Sequence, residues 1–141
     1  MKNYTIITDS GADISGAVLA EWGVKYCCLP FRFDEDDTEY LDNEMSTAEF
    51  YARMRSGSSG KTSAVNSETF KEIFKTELDA GNDVLYLGFS SGLSATSNNG
   101  IIAANELSEE YPDRKIIAID MLLASSGQGL MVYLAAKEKE K

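Results

Sequence analysis

The chain has 141 residues, 43% hydrophobic and 26% charged, the size and composition of one globular domain with a core of its own. Its net charge of −10, from 23 acidic and 13 basic residues, argues against nucleic acid and anionic membrane surfaces as partners. It has no histidine, which excludes a Ser-His-Asp triad, a Cys-His pair and a His-ligated zinc within this polypeptide.

Met1 to Thr5 lead into a strand without a signal peptide's long apolar segment, and no window reaches the roughly 18 apolar residues of a membrane span. A cytoplasmic protein with no membrane insertion is expected. The first strand covers residues 4–8 and closes on Asp9-Ser10-Gly11. Ile14, Val18, Leu19 and Trp22 then recur at helical spacing, with Gly23 as a stop. A second β-rich run, residues 24–33, carries Pro30, so strand is expected over 24–29 with a bend or break at the proline. Cys27 and Cys28 lie in this run on opposite faces, which fits two buried thiols and too few thiolates for a metal site. Asp34-Glu35-Asp36-Asp37 lacks the spacing and glycine of a calcium loop and reads as an exposed turn.

Residues 47–55 put Phe50, Tyr51 and Met54 on one helical face, behind a possible capping box of Ser46 and Glu49. Ser56-Gly57-Ser58-Ser59-Gly60 is a flexible loop inside the domain, and Lys61-Thr62-Ser63 follows it, between two helices. Gly60-Lys61-Thr62 is not a phosphate loop, because Arg55 stands where that pattern needs glycine. Phe70, Ile73, Phe74 and Leu78 mark a third helix, capped by Asn66 or Ser67 and closed near Gly81. Strand is expected at 84–89, a helix on Ile101, Ala104, Leu107 and Tyr111 up to Pro112, and strand again at 115–119, ending at Asp120. Leu130, Met131, Leu134 and Ala135 mark a last helix that runs into a solvated charged end. The alternation implies an α/β fold, an open, mostly parallel sheet with helices on both faces in a Rossmann-like, three-layer arrangement.

The most informative stretch is Ser90-Ser91-Gly92-Leu93-Ser94-Ala95-Thr96, between an apolar strand and a helix. A strand-to-helix turn rich in hydroxyls and amides can bind a carboxylate or phosphate without a positive charge; it can also simply cap the helix. Open α/β sheets take their ligands at the strands' carboxyl ends, and there stand Asp9-Ser10-Gly11, Ser90-Ser91-Gly92 and Asp120. Lys61-Thr62-Ser63 could fold over the same edge. An enzyme using Ser91 or Ser94 as nucleophile for acyl or phosphoryl transfer is the alternative; it lacks a histidine base and has no lysine inside the motif.

Ile7-Thr8-Asp9-Ser10-Gly11-Ala12-Asp13 resembles the D-S-T-A-D opening of DegV proteins. Leu29-Pro30-Phe31, Glu49-Phe50-Tyr51, Lys61-Thr62-Ser63, Ser90-Ser91-Gly92-Leu93-Ser94-Ala95-Thr96, Ile119-Asp120 and Ala124-Ser125-Ser126-Gly127-Gln128-Gly129 follow in that family's order. The resemblance implies a fatty-acid carrier without chemistry of its own, cofactor or metal, its acyl chain buried between two domains. It implies Thr62, Ser63, Ser91, Gly92 and Ser94 as carboxylate ligands, with Asp9, Ser10, Ser90 and Asp120 in support. A long-chain fatty acid is the implied ligand and a separate fatty acid kinase the implied partner. The resemblance further implies members about twice as long, so that residues 1–141 are expected to correspond to the N-terminal lipid-binding domain, with the C-terminal domain absent from this chain. Departures from the pattern are Gly11 for the usual Thr, Ala64-Val65-Asn66 after the T-S pair, Ala95 for Gly, and Ser97-Asn98 for Tyr-Gln.

Overall fold

A computed structural model describes residues 3–141. In chain order the elements are β1 (Tyr4–Asp9), α1 (Gly16–Glu21), β2 (Val24–Cys27), β3 (Pro30–Phe33), β4 (Tyr40–Leu41), α2 (Thr47–Arg55), β5 (Gly60–Thr62), α3 (Ser67–Asp79), β6 (Asp83–Gly88), α4 (Thr96–Glu110), β7 (Ile116–Asp120) and α5 (Ser125–Lys139). A 3-10 turn, Ser10–Ala12, follows β1.

The main sheet is parallel, in the order β2-β1-β6-β7. Side chains alternate across it. Ile7, Val84 and Tyr86 meet Phe70, Phe74 and Leu78 of α3 and Ala103, Ala104 and Leu107 of α4 on one face. Ile6, Val24 and Leu87 meet Leu19 of α1 and Val132 and Ala136 of α5 on the other. The expected three-layer α/β architecture is present, and each strand of the main sheet lies within two residues of its expected bounds.

Helix starts follow the side-chain chemistry. Ser46 Oγ accepts from Glu49 N at 3.2 Å, and Asn66 Oδ1 accepts from Thr69 N at 2.9 Å. The reciprocal half of the capping box does not form, because Glu49 turns toward Arg53.

The second half of the run at 24–33 departs from expectation. Residues 28 and 29 leave the main sheet, and Pro30 opens β3 of a separate antiparallel sheet, order β4-β3-β5. Proline has no N–H for a ladder and suits the first position of a strand. Cys28 is only half-buried as a result, while Cys27 is buried. Lys61-Thr62 is likewise a strand and not a connector: Thr62 pairs with Phe31 and Lys61 with Arg32. This small unit has an aromatic core in which Phe31 meets Phe33, Tyr40 and Phe50 at centroid distances of 5.7, 5.5 and 5.3 Å.

Candidate functional site

Strand order places a switch point between β1 and β6: after β1 the chain builds outward to β2, then returns to β1's other side. A crevice at the carboxyl ends of such strands is the usual ligand site of an open parallel sheet. Here it is built around Asp9, which ends β1 with no exposure to water. Asp9 Oδ2 accepts from Tyr86 Oη at 2.7 Å and Phe89 N at 2.9 Å; Oδ1 accepts from Gly11 N at 3.1 Å and Gln128 Nε2 at 3.2 Å. With four donors satisfied it faces inward and ties β1, the turn after β6 and α5 together. It supports the loops around it. Burial, with Asp9 beside it, pushes the Tyr86 phenol far above its ordinary range, so Tyr86 stays a donor.

The serine-rich segment is a compact turn. Ser90 O accepts from Leu93 N at 3.0 Å and Ser94 N at 3.2 Å, and Ser90 Oγ accepts from Gly92 N at 3.3 Å. Ser90 N donates to Leu123 O at 2.9 Å, joining this turn to the one after β7. Asp120 Oδ1 accepts from Ser91 N at 3.2 Å and Leu122 N at 3.0 Å. The Ser91 hydroxyl beside it, foremost, holds the Asp120 carboxyl below the usual carboxylate range. Ser91 therefore already serves an internal anion, whereas Ser94 bonds at the start of α4. Its Oγ accepts from Thr96 N at 3.2 Å and lies 2.9 Å from Thr96 Oγ1.

The T-S segment docks here. Thr96 Oγ1 accepts from Val65 N at 3.3 Å, and Asn99 Nδ2 donates to Val65 O at 2.8 Å. Both polar groups of the Val65 backbone are thus held by the first turn of α4, two residues beyond Ser63. Ser63 N itself donates to Pro30 O at 2.9 Å. The segment that follows Thr62-Ser63 is thereby fixed to the start of α4, and Thr62, Ser63, Ser91 and Gly92 are all exposed. Ser10 acts at a different joint, where its Oγ accepts from Leu29 N at 2.9 Å.

Thr96, Asn99 and Gln128 carry this geometry and were not among the expected residues. Thr96 stood inside the motif and Gln128 inside the run at 124–129, but Asn99 looked like an ordinary polar helix position, and no spacing rule joins Gln128 to Asp9, 119 residues away. The start of α4 has no side-chain N-cap bond, and the fully buried Ser97 Oγ has no partner among the described residues. The assembly offers hydroxyls and amides, and no lysine among the described residues bonds to its serines. That donor set suits holding an oxyanion more than cleaving a bond.

A groove of about 780 Å³ lies beside this edge. The loop after β1 and the start of α1 form one wall, with Ser10, Asp13 and Gly16; the antiparallel unit forms the other, with Phe31, Asp42, Phe50, Tyr51 and Thr62. Thr62 and Ser10 border it, whereas Ser91 and Ser94 do not.

Residues 3–141 match the family model described as "Uncharacterised protein, DegV family". A DegV domain-containing protein of Clostridium perfringens is 42% identical over 99% of this chain and 48% of its own length. A solved structure of a stearic acid-binding protein from Eubacterium ventriosum superposes with a TM-score of 0.89 at 27% identity, covering 97% of this chain and 47% of that one. A DegV family protein from Thermus thermophilus, solved for its fatty acid binding, gives a TM-score of 0.83 at 29% identity, covering 99% and 48%. The chain spans about half the length of the curated relatives it matches.

Proposed function

Because the chain belongs to the DegV family, we propose that it forms the N-terminal half of a fatty-acid carrier and holds the carboxylate of a long-chain acyl group at the carboxyl edge of its parallel sheet. The hydroxyls of Thr62, Ser63 and Ser94 bind the carboxylate, with Gly92 and Ser91 closing the turn around it. Asp120 keeps its charge beside Ser91, so the guest sits on the Ser94 side, away from that like charge. The observation that carries this reading is the docking of Val65, two residues beyond Ser63, onto Thr96 and Asn99 at the start of α4, which favours an approach of the T-S hydroxyls to Ser94. Exposed Leu93 and Leu122, on the two turns at this edge, suit an acyl chain. A tail gains about 0.8 kcal/mol per buried methylene, so chain length dominates affinity while the head group fixes orientation.

The second half of the longer proteins completes the apolar cleft in this account, and the loaded carrier presents its carboxylate to a separate fatty acid kinase, which performs the chemistry. The test is calorimetry of dodecanoate and dodecanol with a protein of the relatives' full length that carries this chain. Ser94→Ala should cost the acid roughly 1–3 kcal/mol and the alcohol much less, since only the acid brings a charge for the donor to meet. Equal losses for both ligands would make Ser94 structural and end the proposal.

A further inference from the structure

The aromatic core of the antiparallel unit already binds one guanidinium. Arg53 lies 5.1 Å from the Phe33 ring centroid and 5.8 Å from that of Tyr40, and its Nη1 is 3.6 Å from Asp36 Oδ2. Ring faces and a carboxylate thus hold a planar cation on one side of the cluster. Phe50 joins that side to the groove side, 5.6 Å from Phe33 and 5.4 Å from Tyr51.

The groove side also carries both carboxylates and aromatic rings among its lining residues. Asp13 and Asp42 border it together with Phe31, Phe50 and Tyr51, and no lysine or arginine is among its lining residues. Neither carboxylate forms an ion pair with a lysine or arginine among the described residues. Asp13 is exposed and held at φ 53°, and Tyr51 is 53% exposed, so both are free to meet a partner. Burial, opposed by bonds from Ser10 and Cys28 and reinforced by the nearby Asp13 charge, raises the Asp42 carboxyl above its ordinary range. An incoming cation would relieve that repulsion.

We propose that this groove docks a polypeptide segment of a partner protein through an arginine side chain, its guanidinium facing Asp13 and Asp42 and its plane against Tyr51. Arginine fits better than lysine because its cation is planar, weakly hydrated and stacks on rings, and its apolar stem can lie along Leu29 and Phe31. The net charge of −10 favours approach of a basic partner. The fatty-acid reading is not used here, and its failure would leave this proposal standing.

The experiment is an amide NMR titration of the 141-residue chain with acetyl-Ala-Arg-Ala-amide, and with the same peptide carrying citrulline, the neutral isostere, or lysine. The arginine peptide should shift Asp13, Gly16, Asp42 and Tyr51 saturably, and the citrulline peptide should bind at least tenfold more weakly. Asp13→Asn should weaken the arginine peptide at least fivefold while keeping its left-handed backbone, which asparagine adopts readily. Tyr51→Ala, at an exposed ring, should weaken it as well. Equal binding of the citrulline peptide, insensitivity to both variants, shifts confined to other surfaces, or lysine binding as tightly as arginine would each overturn the proposal.

Discussion

At position 9 a buried carboxylate accepts four hydrogen bonds, from Gly11, Tyr86, Phe89 and Gln128, and the loops of three elements depend on it. Asparagine would turn one acceptor into a donor facing another donor. Asp9→Asn should lower the free energy of unfolding by roughly 2–3 kcal/mol, read from urea midpoints, because charge-assisted bonds are lost and a buried donor is left unpaired. Gly11 shows how a neighbouring departure from the family pattern is absorbed. A Cβ there would run into the Phe89 ring and come within 2.8 Å of Asp9 Oδ1. Gly11→Thr should cost about 1–3 kcal/mol by overpacking, and Phe89→Ala should recover part of that loss in a double-mutant cycle. Glu77, also buried, gives the pH dependence. Burial opposes its ionisation, but bonds from Lys25, Thr5 and Asn82 outweigh it and hold the carboxyl below its ordinary 4.5. A folded-state value below the unfolded one contributes stability above about pH 4.5, lost as pH falls through the folded value. Urea midpoints should therefore drop below that pH, and Glu77→Gln should flatten the drop.

Among the elements, the joint between the T-S segment and α4 matters most for the site. Asn99→Ala removes the bond to Val65 O and should cost about 1 kcal/mol of stability. It should weaken carboxylate binding while leaving the amide shifts of residues 90–94 unchanged in the free protein. The parallel sheet and the five helices were legible from hydrophobic periodicity, from caps such as Asn66 and from glycine stops such as Gly23. The antiparallel sheet was not. β4 has two residues, β5 has three exposed ones, and their pairing with β3 is a tertiary event without local periodicity. The site was half legible. Serine hydroxyls on a strand-to-helix turn mark a candidate anion site locally, and Pro30 announced a break. That the segment after Thr62-Ser63 docks on the start of α4 depends on Val65, Thr96 and Asn99, contacts spanning 31 and 34 residues that no spacing rule encodes.

On the scale of the whole molecule, the apolar surface is unevenly covered. Ile117 and Ile119 on β7 are 38% and 42% exposed, and Leu122 beyond them is 72% exposed. Together with a chain half the length of its relatives, this leads us to expect that the isolated domain binds long-chain fatty acid far more weakly than a protein of full family length. Losing one apolar wall of a shared cleft, at about 25 cal/mol per Å², removes several powers of ten in affinity. Calorimetry of stearate with both forms checks this, and tight binding by the isolated chain would contradict the shared cleft. The head group remains testable on the 141 residues alone, since its proposed ligands are all present. In an amide NMR titration with octanoate and with octanol, the account predicts that octanoate shifts Ser63, Gly92, Ser94 and Thr96 and that octanol leaves them in place. Equal shifts with both ligands, or octanoate shifts that avoid these residues, would contradict a carboxylate site at this edge.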